Sequence, residues 1–120
     1  MGRNNDLGAW GERQAARFLI RKGYALTAHN YRCRWGELDL IMEDPAYLVF
    51  VEVKLRKNAR YGTPGEYVTP RKQEKLRMTA QAYLQEFPTE KQPRFDVVEI
   101  YAPKGQETNP VAVHHIENAF

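Results

Sequence analysis

Among 120 residues there is a single cysteine, Cys33, so the chain can form no internal disulfide and offers no paired-thiol metal or redox motif. Arg32, Arg34 and Trp35 around it supply no base, which leaves Cys33 a half-buried packing residue rather than a nucleophile. Histidine is nearly as scarce, at three. His114 and His115 are adjacent, and an extended strand sends neighbours to opposite faces, which denies them a shared metal. No apolar run approaches the ~20 residues a membrane span needs. Arg3, Asp6, Glu12, Arg13 and Arg17 break the opening stretch, so no secretory leader is expected. Asp6 also stands where a myristoylation signal has Ser or Thr. A large charge excess is missing too. The 18 Lys and Arg face 15 Asp and Glu, a formal charge of +3 that excludes a histone-like basic tail. With no internal repeat and no low-complexity segment, the expectation is a cytoplasmic single domain over 1–120, its one core at about 6–116.

What is present is an alternation of helical and strand-like patterns. Leu7, Trp10, Ala15, Phe18 and Leu19 recur at helical spacing and predict a helix over about 6–22, with Asn5 or Asp6 as cap and Gly23 as stop. Gly8 and Gly11 weaken its first turns by about 1 kcal/mol each relative to alanine, and they admit a close neighbour. Strand-like runs follow at 24–31, 37–43 and 47–55. In the second, Leu38, Leu40 and Met42 take one face, with Glu37, Asp39 and Ile41 on the other. In the third, Val49, Val51, Val53 and Leu55 share a face. Asp44-Pro45-Ala46 is a turn signal that joins these two as an antiparallel hairpin. After a glycine- and proline-bearing loop at 58–68, Thr69 and Pro70 have the cap and first-position chemistry of a second helix. That helix runs to about Phe87, with Leu76, Ala80, Tyr83 and Leu84 as its apolar stripe. Strands at 94–101 and 111–116 complete an α-β-β-β-α-β-β order, an α/β class.

The chemistry lies in charges placed inside apolar strands. Glu52 and Lys54 interrupt the valine-rich run and share the face opposite Val51 and Val53, ~7 Å apart along the strand. With a four-residue turn over 44–47, Glu43 pairs with Leu48. Asp39 then lies opposite Glu52 and Glu37 opposite Lys54, with Cβ atoms ~5 Å apart. A slip of one residue would bury these charges in the core. Two carboxylates so placed repel each other unless a cation joins them. Oxygen ligands of this kind suit Mg²⁺ (or Mn²⁺), which takes one or two protein carboxylates and keeps several waters. Glu-x-Lys alone is a common solvated pair; the opposed Asp39 and the basic segment that follows turn the reading toward chemistry.

Between Lys54 and Arg77, eight cations face two anions, Glu66 and Glu74, so this segment carries +6. Arg56, Lys57 and Arg60, with Arg71, Lys72 and Lys75 at the start of the second helix, are the candidates for phosphate contacts. Tyr61 in the loop is the candidate for base stacking. Glu37 is expected to ion-pair with Lys54, Gln73 to face solvent, and Trp10 and Trp35 to pack in the core.

Gly36-Glu37-Leu38-Asp39-Leu40-Ile41 followed by Val49-Phe50-Val51-Glu52-Val53-Lys54 resembles the PD-(D/E)xK nuclease superfamily, with Leu38 in place of the motif's proline. Gly11-Glu12, Ala15-Ala16, Asn30-Tyr31-Arg32, Tyr61-Gly62 and Arg94-Phe95-Asp96-Val97-Val98 extend the likeness. Over about residues 6–100 the chain is similar to the YraN-type family of uncharacterised bacterial proteins (uncharacterised protein family 102), which is considered related to archaeal Holliday-junction resolvases. The resemblance implies a restriction-endonuclease-like three-layer core with a mixed central sheet. It implies a Mg²⁺-dependent endonuclease acting on DNA, on branched or repair intermediates. It makes Asp39 and Glu52 the metal carboxylates and adds the backbone carbonyl of Val53 as a ligand. Lys54 would position the attacking water and stabilise the phosphorane charge, and Glu12 matches the additional acidic residue of the resolvase-like branch. Because resolvases cut two strands as symmetric dimers, a homodimer is implied as well. The competing expectation is a nucleic-acid-binding module that keeps fold and charge without turnover, although two mutually repelling acids would serve it no purpose. A protein-interaction role through a sheet edge sits poorly with the +6 segment.

Overall fold

The computed structural model describes residues 3–57 and 68–120. Helix α1 (Arg3–Arg21) opens the chain, and Asp6 lies inside its first turn rather than capping it. The helix begins earlier than its apolar spacing requires. It stops where expected: the Gly23 N–H donates to the Ile20 carbonyl at 3.0 Å, with φ at +106°. Strands β1 (Ala25–Cys33), β2 (Gly36–Glu43) and β3 (Tyr47–Arg56) follow, then helix α2 (Pro70–Glu86) and strand β4 (Gln92–Tyr101). A short 3-10 turn (Gly105–Glu107) and strand β5 (Ala112–Ile116) complete the order α-β-β-β-α-β-β, consistent with a restriction-endonuclease-like core.

The five strands form one mixed sheet in the order β1-β2-β3-β4-β5. Neighbours are antiparallel except β3 and β4, which pair in parallel from Tyr47↔Gln92 to Arg56↔Tyr101 with α2 as the crossover. Two local devices set this arrangement. Asp44 Oδ1 accepts the Ala46 and Tyr47 N–H groups at 2.8 and 2.7 Å, closing a tight turn. That turn produces the expected register, from Glu43↔Leu48 to Leu40↔Val51. Thr69 Oγ1 accepts the Lys72 N–H at 3.2 Å and Pro70 starts α2, as their chemistry predicts.

Each helix covers one face of the sheet. Trp10, Ala15 and Leu19 of α1 pack on Leu40, Met42, Val49, Val51, Val98 and Ile100. Leu76, Ala80 and Tyr83 of α2 pack on Leu38, Ile41, Leu48, Phe50 and Val97. Each large aliphatic or aromatic side chain so buried contributes about 1.5–3 kcal/mol.

One expectation fails in an informative way. Leu38 does not share a face with Leu40 and Met42; it joins Ile41 on the α2 side. In β1, Ala28 and Tyr31 both pack on the α2 side although three residues apart, and Asn30 between them has φ of +50°. Both strands therefore turn over at the level of Asn30 and Asp39. Strict alternation cannot survive a left-handed residue in the paired strand.

Gly11 meets a different constraint, because a Cβ there would lie 2.9 Å from Leu55 Cδ2, so α1 sits close on β3. Gly11→Val should lower the unfolding free energy by about 1–3 kcal/mol. Gly8, where a Cβ would meet nothing within 4 Å, should tolerate Gly8→Ala with a gain of up to about 1 kcal/mol. Urea unfolding of the two variants checks both signs.

Candidate active site

The β2–β3 ladder ends at Leu40↔Val51. One residue further along, Asp39 Oδ2 accepts the Val53 N–H at 2.9 Å. A carboxylate thus takes the place of a backbone carbonyl, and the two strands part around it. Glu52, on the α2 face of β3, is only 7% exposed. Two lysines converge on its Oε2: Lys72 of the first turn of α2 at 3.1 Å and Lys54 of β3 at 3.6 Å. A cleft of about 310 Å³ opens here, lined by Trp35, Asp39, Glu52, Lys72, Lys75 and Thr79 among others.

Burial first, and then the Glu52 charge, push the Asp39 carboxyl up to about 7; the Val53 N–H opposes them and Glu12 adds to them. Glu12 reaches this point from α1, across the sheet from Glu52. The Asn30 side-chain amide holds it, Nδ2 donating to Glu12 Oε1 at 2.9 Å. Glu12, His29, Asn30 and Leu40 border a second cleft of about 370 Å³ on the α1 side. Asp39 therefore lies in a seam of the sheet, sensing one acid from each face.

Among the described residues, no group of three or more His, Cys, Asp or Glu is placed to hold a metal ion. Two carboxylates are nonetheless what Mg²⁺ commonly takes from a protein, with water completing its six ligands. An acid held half-protonated near neutrality by burial and by its neighbour's charge is the donor chemistry that a hard cation relieves. Asp39 and Glu52 fit such an ion.

The other expected site residues divide. Lys72 and Lys75 line the cleft, and Arg71 lines an adjoining one with Arg34, Trp35 and Met78. Arg56 is held by β4: its Nε donates to the buried Glu99 Oε2 at 2.6 Å. Lys57 is exposed just past β3. Arg60 and Tyr61 lie outside the described residues. Glu37 does not pair with Lys54; it pairs with Arg32 of β1, because β2 and β3 have already separated at that level. Gln73 is half-buried, and its Nε2 donates to the Val68 carbonyl at 2.8 Å.

Trp10 packs in the core as expected, but Trp35 does not. It stands in the two-residue turn between β1 and β2, beside the first turns of α2, and is 41% exposed at the edge of the cleft. The contacts of Lys72 and Trp35 with this site were missed from sequence. For Lys72 a signal existed, namely a cation three residues after a helix cap that follows the Glu52 strand.

His115 belongs elsewhere. It is buried, with Nε2 on Asp96 Oδ2 at 2.7 Å and Lys22 Nζ 2.8 Å from its Nδ1. Arg94 and the Asn118 N–H complete the shell of Asp96. Burial raises the Asp96 pKa, but hydrogen bonds from His115 and Arg94 outweigh it and hold the carboxyl below its usual range. The network ties β4 to β5 and has no part in the cleft.

The profile of an uncharacterised protein family, UPF0102, matches residues 11–100, a span that holds Glu12, Asp39, Glu52, Lys54 and Lys72. A UPF0102 protein of Syntrophomonas wolfei is 44% identical over 118 residues, 98% of this chain and 99% of that protein. One from Symbiobacterium thermophilum is 48% identical over 116 residues, covering 95% of each. One from Rhodococcus opacus is 42% identical over 121 residues, covering 100% of each.

The raised Asp39 carboxyl has a thermodynamic consequence. The folded protein keeps a proton that the unfolded chain releases near its ordinary value of 3.8, so this group lowers stability as pH rises from there toward about 7. In Asp39→Asn, which retains an acceptor for the Val53 N–H, that loss disappears. Urea unfolding without divalent cations should show the variant gaining on the wild type between about pH 4 and about pH 7. A constant difference across that window would place the Asp39 proton elsewhere.

Proposed function

The chain belongs to uncharacterised protein family UPF0102, and we propose that it is a Mg²⁺-dependent endonuclease hydrolysing DNA phosphodiester bonds, on branched or repair intermediates. One observation carries this reading: Asp39 and Glu52 meet in the seam between β2 and β3, with the ammonium groups of Lys54 and Lys72 on Glu52. A merely structural surface would not concentrate two acids at such electrostatic cost.

Asp39 and Glu52 would hold Mg²⁺ (or Mn²⁺), with the Val53 carbonyl as a further oxygen. When bound, the ion supplies charge neutralisation at the phosphate and a more acidic water. The Val53 N–H fixes one oxygen of Asp39 and so orients the other. Lys54 carries a positive charge on the strand next to Glu52, where negative charge on a phosphate develops during hydrolysis. Lys72 and Lys75 stand in the first two turns of α2, whose amide dipoles also favour an anion, and so suit the flanking phosphates. Glu12, positioned by Asn30, adds negative charge at Asp39 from the α1 side and strengthens the demand for a cation. Cleaving both strands of a branched substrate calls for two such sites, which a symmetric homodimer supplies. The reading places the protein with DNA in the cytoplasm. Among the described residues, no helix is long and apolar enough to cross a membrane.

A non-catalytic nucleic-acid-binding protein is the second reading. The Lys72 contact favours it, since an ammonium already neutralises Glu52.

Assays on linear, flapped and four-way-junction DNA, with and without Mg²⁺ or Mn²⁺, separate the two. Metal-dependent cleavage is expected, abolished in Asp39→Ala and Glu52→Ala and reduced at least about 100-fold in Lys54→Ala. Cleavage that survives in all three variants overturns the assignment, and binding without any cleavage supports the second reading. Affinity should also fall steeply with salt as phosphate contacts release counterions, and a flat response would remove the basic residues from the account.

A further inference from the structure

Deepening the nuclease reading and resting on it, we propose that Trp35 is a stacking platform for an unpaired base beside the acid cleft, so that the substrate is DNA carrying a single-stranded segment there.

Trp35 sits at the tip of the β1–β2 hairpin, between Cys33 and Gly36, and its backbone N–H donates to Cys33 Sγ at 3.4 Å. A lone exposed indole is unremarkable. This one borders two clefts at once. On one side lie Asp39, Glu52 and Lys72; on the other lie Arg71, Lys75 and Met78, with Glu74 as the one anion among the described residues lining that side. The Arg34 guanidinium lies over the indole, 4.5 Å from its ring centroid. Such a contact orients the ring and adds a cation beside it.

A nucleotide asks for these two groups together: an aromatic face for its base and a positive charge for its phosphate. The bases of a continuous duplex are already stacked on each other, so an indole reaches a base face only where a strand is unpaired. Arg71, Lys72 and Lys75 project from the first two turns of α2 beside the ring, and would carry the backbone of such a strand past the carboxylates. Trp10 cannot share this role, being buried in the α1-side core at 8% exposure.

The test uses the full chain in EDTA, so that no cleavage intervenes, at one fixed salt concentration. Single-stranded, flapped and blunt duplex oligonucleotides of equal length are compared by fluorescence anisotropy and by quenching of intrinsic tryptophan emission. Single-stranded and flapped DNA should quench Trp35 and bind about 5- to 100-fold more tightly than the duplex does. Trp35→Ala should lose that preference while duplex affinity holds. Trp35→Phe should keep most of the preference and lose the quench, which shows that the variants fold. Equal affinity for single strand and duplex in the wild type, or an undiminished preference in Trp35→Ala, overturns the proposal. Its failure is distinct from failure of the nuclease reading, which shows as intact stacking preference with no Mg²⁺-dependent cleavage of any substrate.

Discussion

A single hydrogen bond organises the functional end of this molecule: the Val53 N–H donates to the Asp39 carboxylate where the β2–β3 ladder stops. Had a backbone carbonyl accepted that proton, the two strands would have continued side by side and closed the sheet. With a side chain in its place the strands part, and the seam holds a carboxylate that meets Glu52 and Glu12 from opposite faces. The turnover at Asn30 and Asp39 belongs to the same event. It sends Leu38 into the α2-side core and leaves Asp39 between the layers.

Such a cluster opposes folding, and the rest of the structure supplies the compensation. Lys54 and Lys72 neutralise Glu52, and Asn30 satisfies Glu12. Asp39 keeps a carboxyl displaced far from its ordinary value. The opposite treatment is given to Asp96, which is fully buried yet stays anionic because Arg94, His115 and the Asn118 N–H all donate to it. Two aspartates of one sheet, Asp39 half-buried and Asp96 fully buried, thus differ in kind. Asp96 is saturated by its own chain and stiffens the sheet, whereas Asp39 is left wanting a positive charge.

Much of this was legible in the residues. The seven-element order, the turn at Asp44, the cap at Thr69 and the Glu43↔Leu48 register all follow from side chains acting on backbone a few positions away. The pairing of Asp39 with Glu52 followed from that register. Where reading failed, a long-range event had intervened. Glu37 reads as the partner of Lys54 only if the ladder continues; it does not, and Arg32 takes it. The Arg56–Glu99 pair, likewise, exists only because β4 lies beside β3. Trp35 reads as core until the hairpin tip proves to stand at the cleft beside α2, where the indole stays 41% exposed.

Short-range order therefore decided which segments are helices and strands, where they begin, and which faces carry charge, because caps, turns and alternation act within a few residues of one another. Tertiary structure alone decided that α2 delivers Lys72 to Glu52, that α1 delivers Glu12 to Asp39, and that an indole stands at the mouth of the cleft. Those meetings join residues from separate layers of the fold, and no spacing along a chain encodes the angle at which a helix crosses a sheet.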